Sequence, residues 1–291
     1  MAELHFNTIA IIGPGLLGGS LGLALKTHGF KGRVIGVART QATLETARDR
    51  GCIDEAVTDL TAAVTEADLV VLATPVQSAC RLLQRMADAV NPAAVITDVG
   101  STKQSICDTA ARVLANGSRF VGSHPMAGAE TSGPAAARAD LYRGKPVIIT
   151  PTDGTDAEAA AAVKSLWQTL GMRVHRMTPA EHDRAVAAIS HLPHIVSAML
   201  MLNAKRSGSL DVASTGLADM TRLAGGDVEM WTEILADNRQ AILDQLKTWQ
   251  EATTAFGDLL AGGDVEELAA WLAAARDARQ NWNIDQLGDD D

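Results

Sequence analysis

A histidine closes an apolar run in the segment Gly122-Ser123-His124-Pro125-Met126-Ala127-Gly128. Phe120 and Val121 lead into it, so the imidazole is expected at a strand end, in a loop fixed by two glycines and Pro125. A neutral imidazole is well suited to accept a proton near neutral pH. A second chemical feature, Gly13-Pro14-Gly15-Leu16-Leu17-Gly18, directly follows the β-branched run 8–12. This is GxGxxG between a strand and a helix. Gly13 permits the tight turn, Gly15 lets the backbone approach a pyrophosphate, and Gly18 lets the helix pack on the strand. The amides of the first helical turn, at Leu16 and Leu17, then face the phosphates. A dinucleotide site together with a loop histidine points to a dehydrogenase, in which the cofactor takes a hydride and the histidine takes a proton.

The end of the second strand selects the cofactor. It reads Val37-Ala38-Arg39-Thr40 and carries no carboxylate to bond a ribose 2′-OH. Arg39 can pair with a 2′-phosphate, with Thr40 and Thr43 as hydroxyl donors. NADP is therefore expected, with NAD as the second possibility. Thr74 and Pro75, which stop the next strong strand, are also placed at the cofactor.

These features need a frame to hold them. Apolar runs at 8–12, 34–37, 68–73, 94–99, 120–122 and 146–150 alternate with alanine-rich helical stretches. Nearly continuous apolar strands between helices predict a parallel sheet covered on both faces. The pattern changes at Thr178-Pro179-Ala180-Glu181, a helix start with Thr as cap, Pro at the first position and Glu at the third. Beyond it only helix-length segments follow, chiefly 185–205, 228–251 and 265–283. The expected architecture is an α/β Rossmann-type dinucleotide-binding domain, 1–177, followed by an all-α helical dimerisation domain, 178–291. The acidic tail 288–291 is expected to be disordered.

Bulk properties narrow the class. The chain has 291 residues, enough for two domains, and a formal net charge of −10, which argues against a nucleic-acid binder. Three scattered cysteines (Cys52, Cys80, Cys107) form no CxxC pair, so neither a zinc site nor a disulfide framework is indicated. A reducing cytoplasm is the natural compartment. Residues 1–7 are too short and polar for a signal peptide. No apolar run is expected to reach the roughly 18–20 residues that span a bilayer.

Further motifs complete the set. Asp98-Val99-Gly100-Ser101-Thr102-Lys103 follows a strand and so lies at the carboxyl edge of the sheet. Ser101 reads both as a site residue and as a cap for a helix starting near Lys103, and Lys103 reads as a surface lysine. Glu181-His182-Asp183 opens the helical part. His191-Leu192-Pro193-His194 lies in its first long helix, which Pro193 is expected to kink. Asp219-Met220-Thr221-Arg222 precedes Trp231.

In this combination and order, the motifs resemble the prephenate/arogenate (cyclohexadienyl) dehydrogenase family of tyrosine biosynthesis. The resemblance runs from the turn at 13–20 to Trp231. It implies a substrate ring that loses a hydride from the carbon bearing the hydroxyl, loses its carboxylate as CO2 and becomes aromatic. It assigns His124 and Ser101 to the reacting hydroxyl and Arg222 to a substrate carboxylate. It places His194, His182, Glu130 and Trp231 in the substrate pocket, in a cleft between domains of a homodimer. No metal, membrane or nucleic-acid partner is implied, and no fused mutase or regulatory domain is expected. The chain departs from the family pattern at Ala218, where a basic residue is common, which bears on substrate preference. Two other readings compete. A β-hydroxyacid or imine reductase of related architecture would need a lysine acid, for which Lys205 and Lys247 are the candidates. A non-enzymatic NAD(P)-sensing dimeric regulator would leave the serine, histidine and arginine set without a use.

Overall fold

The structure is a computed structural model that describes residues 6–129 and 131–282. Its first part comprises β1 (Thr8–Ile12), α1 (Leu16–Thr27), β2 (Arg33–Val37), α2 (Gln41–Asp49), β3 (Glu55–Val57), α3 (Leu60–Glu66), β4 (Leu69–Leu72), α4 (Val76–Met86), β5 (Val95–Asp98), α5 (Gln104–Val113), β6 (Phe120–Pro125), β7 (Pro146–Thr150), α6 (Ala157–Thr169) and β8 (Arg173–Arg176). The sheet order is β3-β2-β1-β4-β5-β6-β7-β8. Strands β1 to β6 are parallel. The order reverses between β1 and β4, and the carboxyl ends of strands at such a switch point form a ligand crevice.

Alternate residues of the central strands β1 and β4 bury in opposite layers. Ile9, Ile11 and Val71 join Leu21 and Leu25 of α1 and Trp167 of α6. Ala10, Ile12, Val70 and Leu72 join Val64 of α3, Leu83 of α4 and Ile106 of α5. Burial on both faces explains why these strands read as unbroken apolar runs.

The expectation of a wholly parallel sheet fails at β7, which runs antiparallel to β6. A parallel return needs a crossover element, usually a helix. Among the described residues, the stretch between β6 and β7 contains only the 3-10 turn Pro134–Ala136. Helix α6 then supplies such a crossover, and β8 is parallel to β7. Strands β3 and β8 were not expected.

The described residues beyond β8 are helical: α7 (Pro179–Val186), a π turn (Ala187–His191), α8 (Leu192–Ser207), α9 (Thr215–Thr221), a 3-10 turn (Arg222–Gly225), α10 (Val228–Asp237), α11 (Arg239–Gly262) and α12 (Val265–Asn281). The cap at Thr178 forms as expected. Thr178 N–H donates to Glu181 Oε2 (2.8 Å), and Glu181 N–H donates to Thr178 Oγ1 (3.2 Å). Pro193 has no N–H, and its ring crowds the carbonyl four residues back. The chain accommodates it by widening into the π turn that ends at His191. The single helix expected over 228–251 is divided at Asn238, whose side chain bonds the buried His191 Nδ1 (3.1 Å).

Two compact units result. One runs through Val186 and takes in Gly226–Asp237; the other comprises Ala187–Gly225 and the helices from Asn238 onward. Packing thus carries α7 and α10 with the sheet, beyond the boundary expected at 177/178. Contrary to expectation, the 29-residue run Pro179–Ser207 is long and apolar enough to cross a membrane by length and composition alone. Its polar groups escape that average: His182, Asp183, His191 and His194 are all buried within it. The tail at 288–291 and Glu130 lie outside the described residues.

Candidate active site

The Gly-rich turn leaves β1 at Ile12 and enters α1 at Leu16. Gly13 has φ +93°, a conformation closed to most side chains. A Cβ at Gly18 would come within 2.4 Å of the Gly13 carbonyl oxygen, so the helix rests directly on the turn. A Cβ at Gly15 would meet nothing within 4 Å, which leaves the helix N-terminus open to a ligand. No side chain caps α1. Across the switch point at the end of β4, Thr74 Oγ1 is buried without a hydrogen-bond partner. An open helix start, glycines at the required places and an orphaned hydroxyl fit a dinucleotide.

Arg39 is exposed two residues beyond β2. Thr40 caps α2, accepting from the Thr43 N–H (3.3 Å), and the two hydroxyls bond each other (2.8 Å). Both hydroxyls thus already serve the helix start. Pro75 is the cap residue of α4.

His124 lies inside β6, paired with Ile148 of β7, rather than in a loop beyond the strand. Its Nδ1 is 2.8 Å from His182 Nε2, and the rings meet edge to face at 5.1 Å. His182 is fully buried on α7, and its Nδ1 is 2.8 Å from Asp183 Oδ1. Asp183 in turn accepts the N–H groups of Lys103 (2.8 Å) and Gln104 (3.0 Å) at the start of α5. That helix is therefore capped by a carboxylate some 80 residues away in sequence, and Ser101 does not cap it.

Burial pushes the His182 pKa below its ordinary value, against the raising effect of Asp183. Burial also pushes the Asp183 carboxyl up. Hydrogen bonds from His182 and the two amides outweigh this and hold it below the usual carboxylate value. The pair is thus a neutral imidazole on a carboxylate. Asp183 then accepts the His182 Nδ1–H, so His182 Nε2 is an acceptor and receives the His124 Nδ1–H. The proton-accepting nitrogen of His124 is its Nε2. This assignment follows from the hydrogen-bond network.

Ser101, half-buried, follows β5, whose carboxyl end lies on the same sheet edge as that of β6. Lys103, read from sequence as a surface lysine, is completely buried. Its ammonium pairs with Asp98, and a charge this deep requires such a partner. Asp237, at the end of α10, accepts from Thr102 Oγ1 (2.5 Å), Ser105 Oγ (2.8 Å) and Gln77 Nε2 (3.0 Å). It fastens the helix bearing Trp231 to the loop that carries Ser101.

In the second unit, His194 is buried on α8, and burial lowers its pKa. Arg222 is exposed and opens the 3-10 turn that packs on α8, where the Ala224 N–H donates to Ser197 Oγ (3.1 Å). These two expected site residues share one small substructure. Lys205 and Lys247, the candidates for a lysine acid, are exposed.

Sequence reasoning missed the roles of Asp183, Lys103 and Asp237. Asp183 stood beside His182 and Lys103 stood in the motif that carries Ser101; Asp237 belonged to no motif.

Comparison with known proteins shows the family. Residues 21–176 match the family model of the prephenate dehydrogenase nucleotide-binding domain, and 178–274 match that of the prephenate dehydrogenase dimerization domain. The chain is 35% identical to prephenate dehydrogenase of Bacillus subtilis, over 97% of this chain and 78% of that protein. Among solved structures, prephenate dehydrogenase from A. aeolicus, in complex with hydroxyphenyl propionate and NAD+, has a TM-score of 0.91. It is 30% identical and covers 96% of this chain and 99% of its own. Synechocystis arogenate dehydrogenase has a TM-score of 0.84 at 33% identity, covering 95% and 100%. The chain belongs to the prephenate dehydrogenase family and is an NAD(P)-dependent oxidoreductase.

Proposed function

We propose that this chain oxidatively decarboxylates prephenate, arogenate or both in tyrosine biosynthesis. The observation that carries the reading is the Asp183–His182–His124 chain of hydrogen bonds at the carboxyl edge of the sheet. The nicotinamide, when bound, supplies the hydride acceptor. As the ring carbon loses its hydride, the hydroxyl proton becomes acidic, and His124 Nε2 accepts it. Ser101 orients the same hydroxyl. Loss of the ring carboxylate as CO2 completes aromatisation, its bonding electrons passing to the ring oxygen, which takes the proton back from the His124 imidazolium. Arg222 binds a substrate carboxylate through its planar fork. His194, Trp231 and Glu130 line the pocket, Glu130 lying outside the described residues, while His182, expected from the resemblance to line it too, is fully buried and acts from behind His124.

Gly13, Gly15, Leu16, Leu17, Gly18, Thr74 and Pro75 hold the dinucleotide. NADP is the favoured cofactor, supported by Arg39 where an NAD site carries a carboxylate; the A. aeolicus relative holds NAD+. The proposed division of labour is cofactor binding in 1–177 and substrate and dimer contacts in 178–291. A homodimer is supported by exposed apolar side chains of the second unit, among them Met199, Leu202, Trp249, Leu260, Trp271 and Leu272. Its compartment is the cytoplasm, in keeping with three free thiols. Turnover of prephenate and arogenate with NADP+ and NAD+, followed by reduced-nicotinamide absorbance, tests the reading. No absorbance rise with either substrate overturns it.

A further inference from the structure

Among the described residues, Lys103 is the largest charged side chain sealed from solvent, and the proposed reaction gives it no task. Its ammonium donates to Asp98 Oδ2 and to the carbonyl of Ser123 (2.9 Å), the peptide that leads into His124. Its backbone N–H, at the other end of the residue, donates to Asp183 Oδ1 (2.8 Å). Asp98 reinforces the first contact. Its Oδ1 accepts from the Ser123 N–H (3.1 Å), and its carbonyl from Ser123 Oγ.

Two motif glycines make room for this arrangement. A Cβ at Gly100 would come within 2.9 Å of Asp98 Oδ2 and 3.4 Å of Lys103 Nζ. One at Gly122 would meet Thr150 Oγ1 at 2.4 Å and Lys103 Cδ at 3.4 Å. Gly100 thus leaves space for the Asp98 carboxylate that pairs with the lysine, and Gly122 lets β7 close on β6 at Thr150 beside the lysine stem.

We infer that Lys103 is a positioning residue that holds both ends of the Asp183–His182–His124 chain, gripping the His124 strand by its ammonium and Asp183 by its amide. Burying an ion pair is a poor way to gain stability, since desolvation offsets the attraction. A fixed spacing between β6 and α7 gives it a use. Misplacing a reacting group by about 1 Å can cost about 10²-fold in rate. The inference rests on His124 as proton acceptor.

The test is a double-mutant cycle on kcat and KM between Lys103→Met and His124→Asn, in the full-length protein. Asp98→Asn/Lys103→Met serves as a second lysine-free background, in which no buried carboxylate is left unpaired. Lys103→Met is expected to lower kcat by about 10²-fold with substrate KM and cofactor Kd little changed. In the His124→Asn background the same change is expected to cost less than about threefold, because residues acting as one unit are not additive. The paired variant is expected to melt near the wild-type temperature and show the same non-additivity. Additive losses in both backgrounds, or a wild-type kcat in Asp98→Asn/Lys103→Met, overturn the inference and leave His124 as acceptor. A wild-type kcat in His124→Asn alone overturns both readings.

Discussion

His124 Nδ1 and His182 Nε2 lie 2.8 Å apart, joining a strand of the sheet to the first helix after it across 58 residues of sequence. The relationship decides which nitrogen of His124 can act. With Asp183 fixing His182 and His182 fixing His124, the proton-accepting lone pair is placed on His124 Nε2. A histidine without such support would divide itself between two tautomers.

Asp183→Asn tests that support. An amide cannot accept at both positions, so one of the Lys103, Gln104 or His182 donors faces an N–H2 group. Loss of tautomer control in comparable triads costs up to about 10⁴ in kcat. A loss of at least about 10²-fold is expected here, with cofactor Kd unchanged, together with roughly 1 kcal/mol of stability from the lost helix cap. Steady-state kinetics and thermal melting report the two effects separately.

The His182 pKa gives a pH dependence of stability. Its folded value lies below its ordinary value, chiefly because of burial. The neutral ring contributes stability that is fully present above the ordinary histidine pKa of about 6.5. That contribution is lost as pH falls from there through the folded value, because the unfolded chain binds the proton first. Denaturant titrations of wild type should show unfolding free energy declining across this window. His182→Gln should flatten the decline. The depressed Asp183 pKa has the same sign but acts lower, below the ordinary carboxylate value. An equal slope in both proteins would remove His182 as its source.

Much of this frame is legible in the sequence, for physical reasons. Gly13, Gly15 and Gly18 are required by backbone geometry, and strands buried on both faces are necessarily apolar, so β1, β4 and β5 stand out. Strands β3 (Glu55-Ala56-Val57) and β8 (Arg173-Val174-His175-Arg176) lie at the sheet edges, where charged side chains are tolerated, and they do not stand out as apolar runs. The antiparallel β7 was not legible, because the alanine-rich stretch after Gly128 resembles the helical connections between the other strands. His124 and His182 were both visible singly; their contact was not, since pattern does not report distance. Lys103 reads as a surface residue because a lysine defaults to the surface unless a buried partner is known, and its contact with the Ser123 carbonyl depends on how β5 and β6 lie side by side.

Arg39→Asp probes cofactor choice. Reversing the charge at the exposed end of β2 should repel a 2′-phosphate and shift the ratio of kcat/KM for NADP+ over NAD+ toward NAD+ by at least about tenfold, ~1.4 kcal/mol. Kinetics with both cofactors on wild type and variant check this. A wild type that prefers NAD+ by about tenfold would contradict the reading of Arg39.

Arg222→Ala is expected to raise substrate KM by about 10²-fold while cofactor Kd, measured by calorimetry, stays near wild type. Arg222→Lys should recover only part of the loss, because the point charge returns without the bidentate fork. Equal weakening of substrate and cofactor would indicate a folding or assembly role and remove the carboxylate assignment.

The most direct test of the central claim is the turnover of His124→Asn beside wild type, with prephenate and arogenate and saturating NADP+ or NAD+, read as reduced-nicotinamide absorbance. The variant keeps a polar side chain of similar shape but cannot take the hydroxyl proton. Wild type should reduce the cofactor with at least one of the two substrates. The variant should be slower by about 10²–10⁴-fold with cofactor affinity unchanged. A variant that turns over at the wild-type rate would contradict the account.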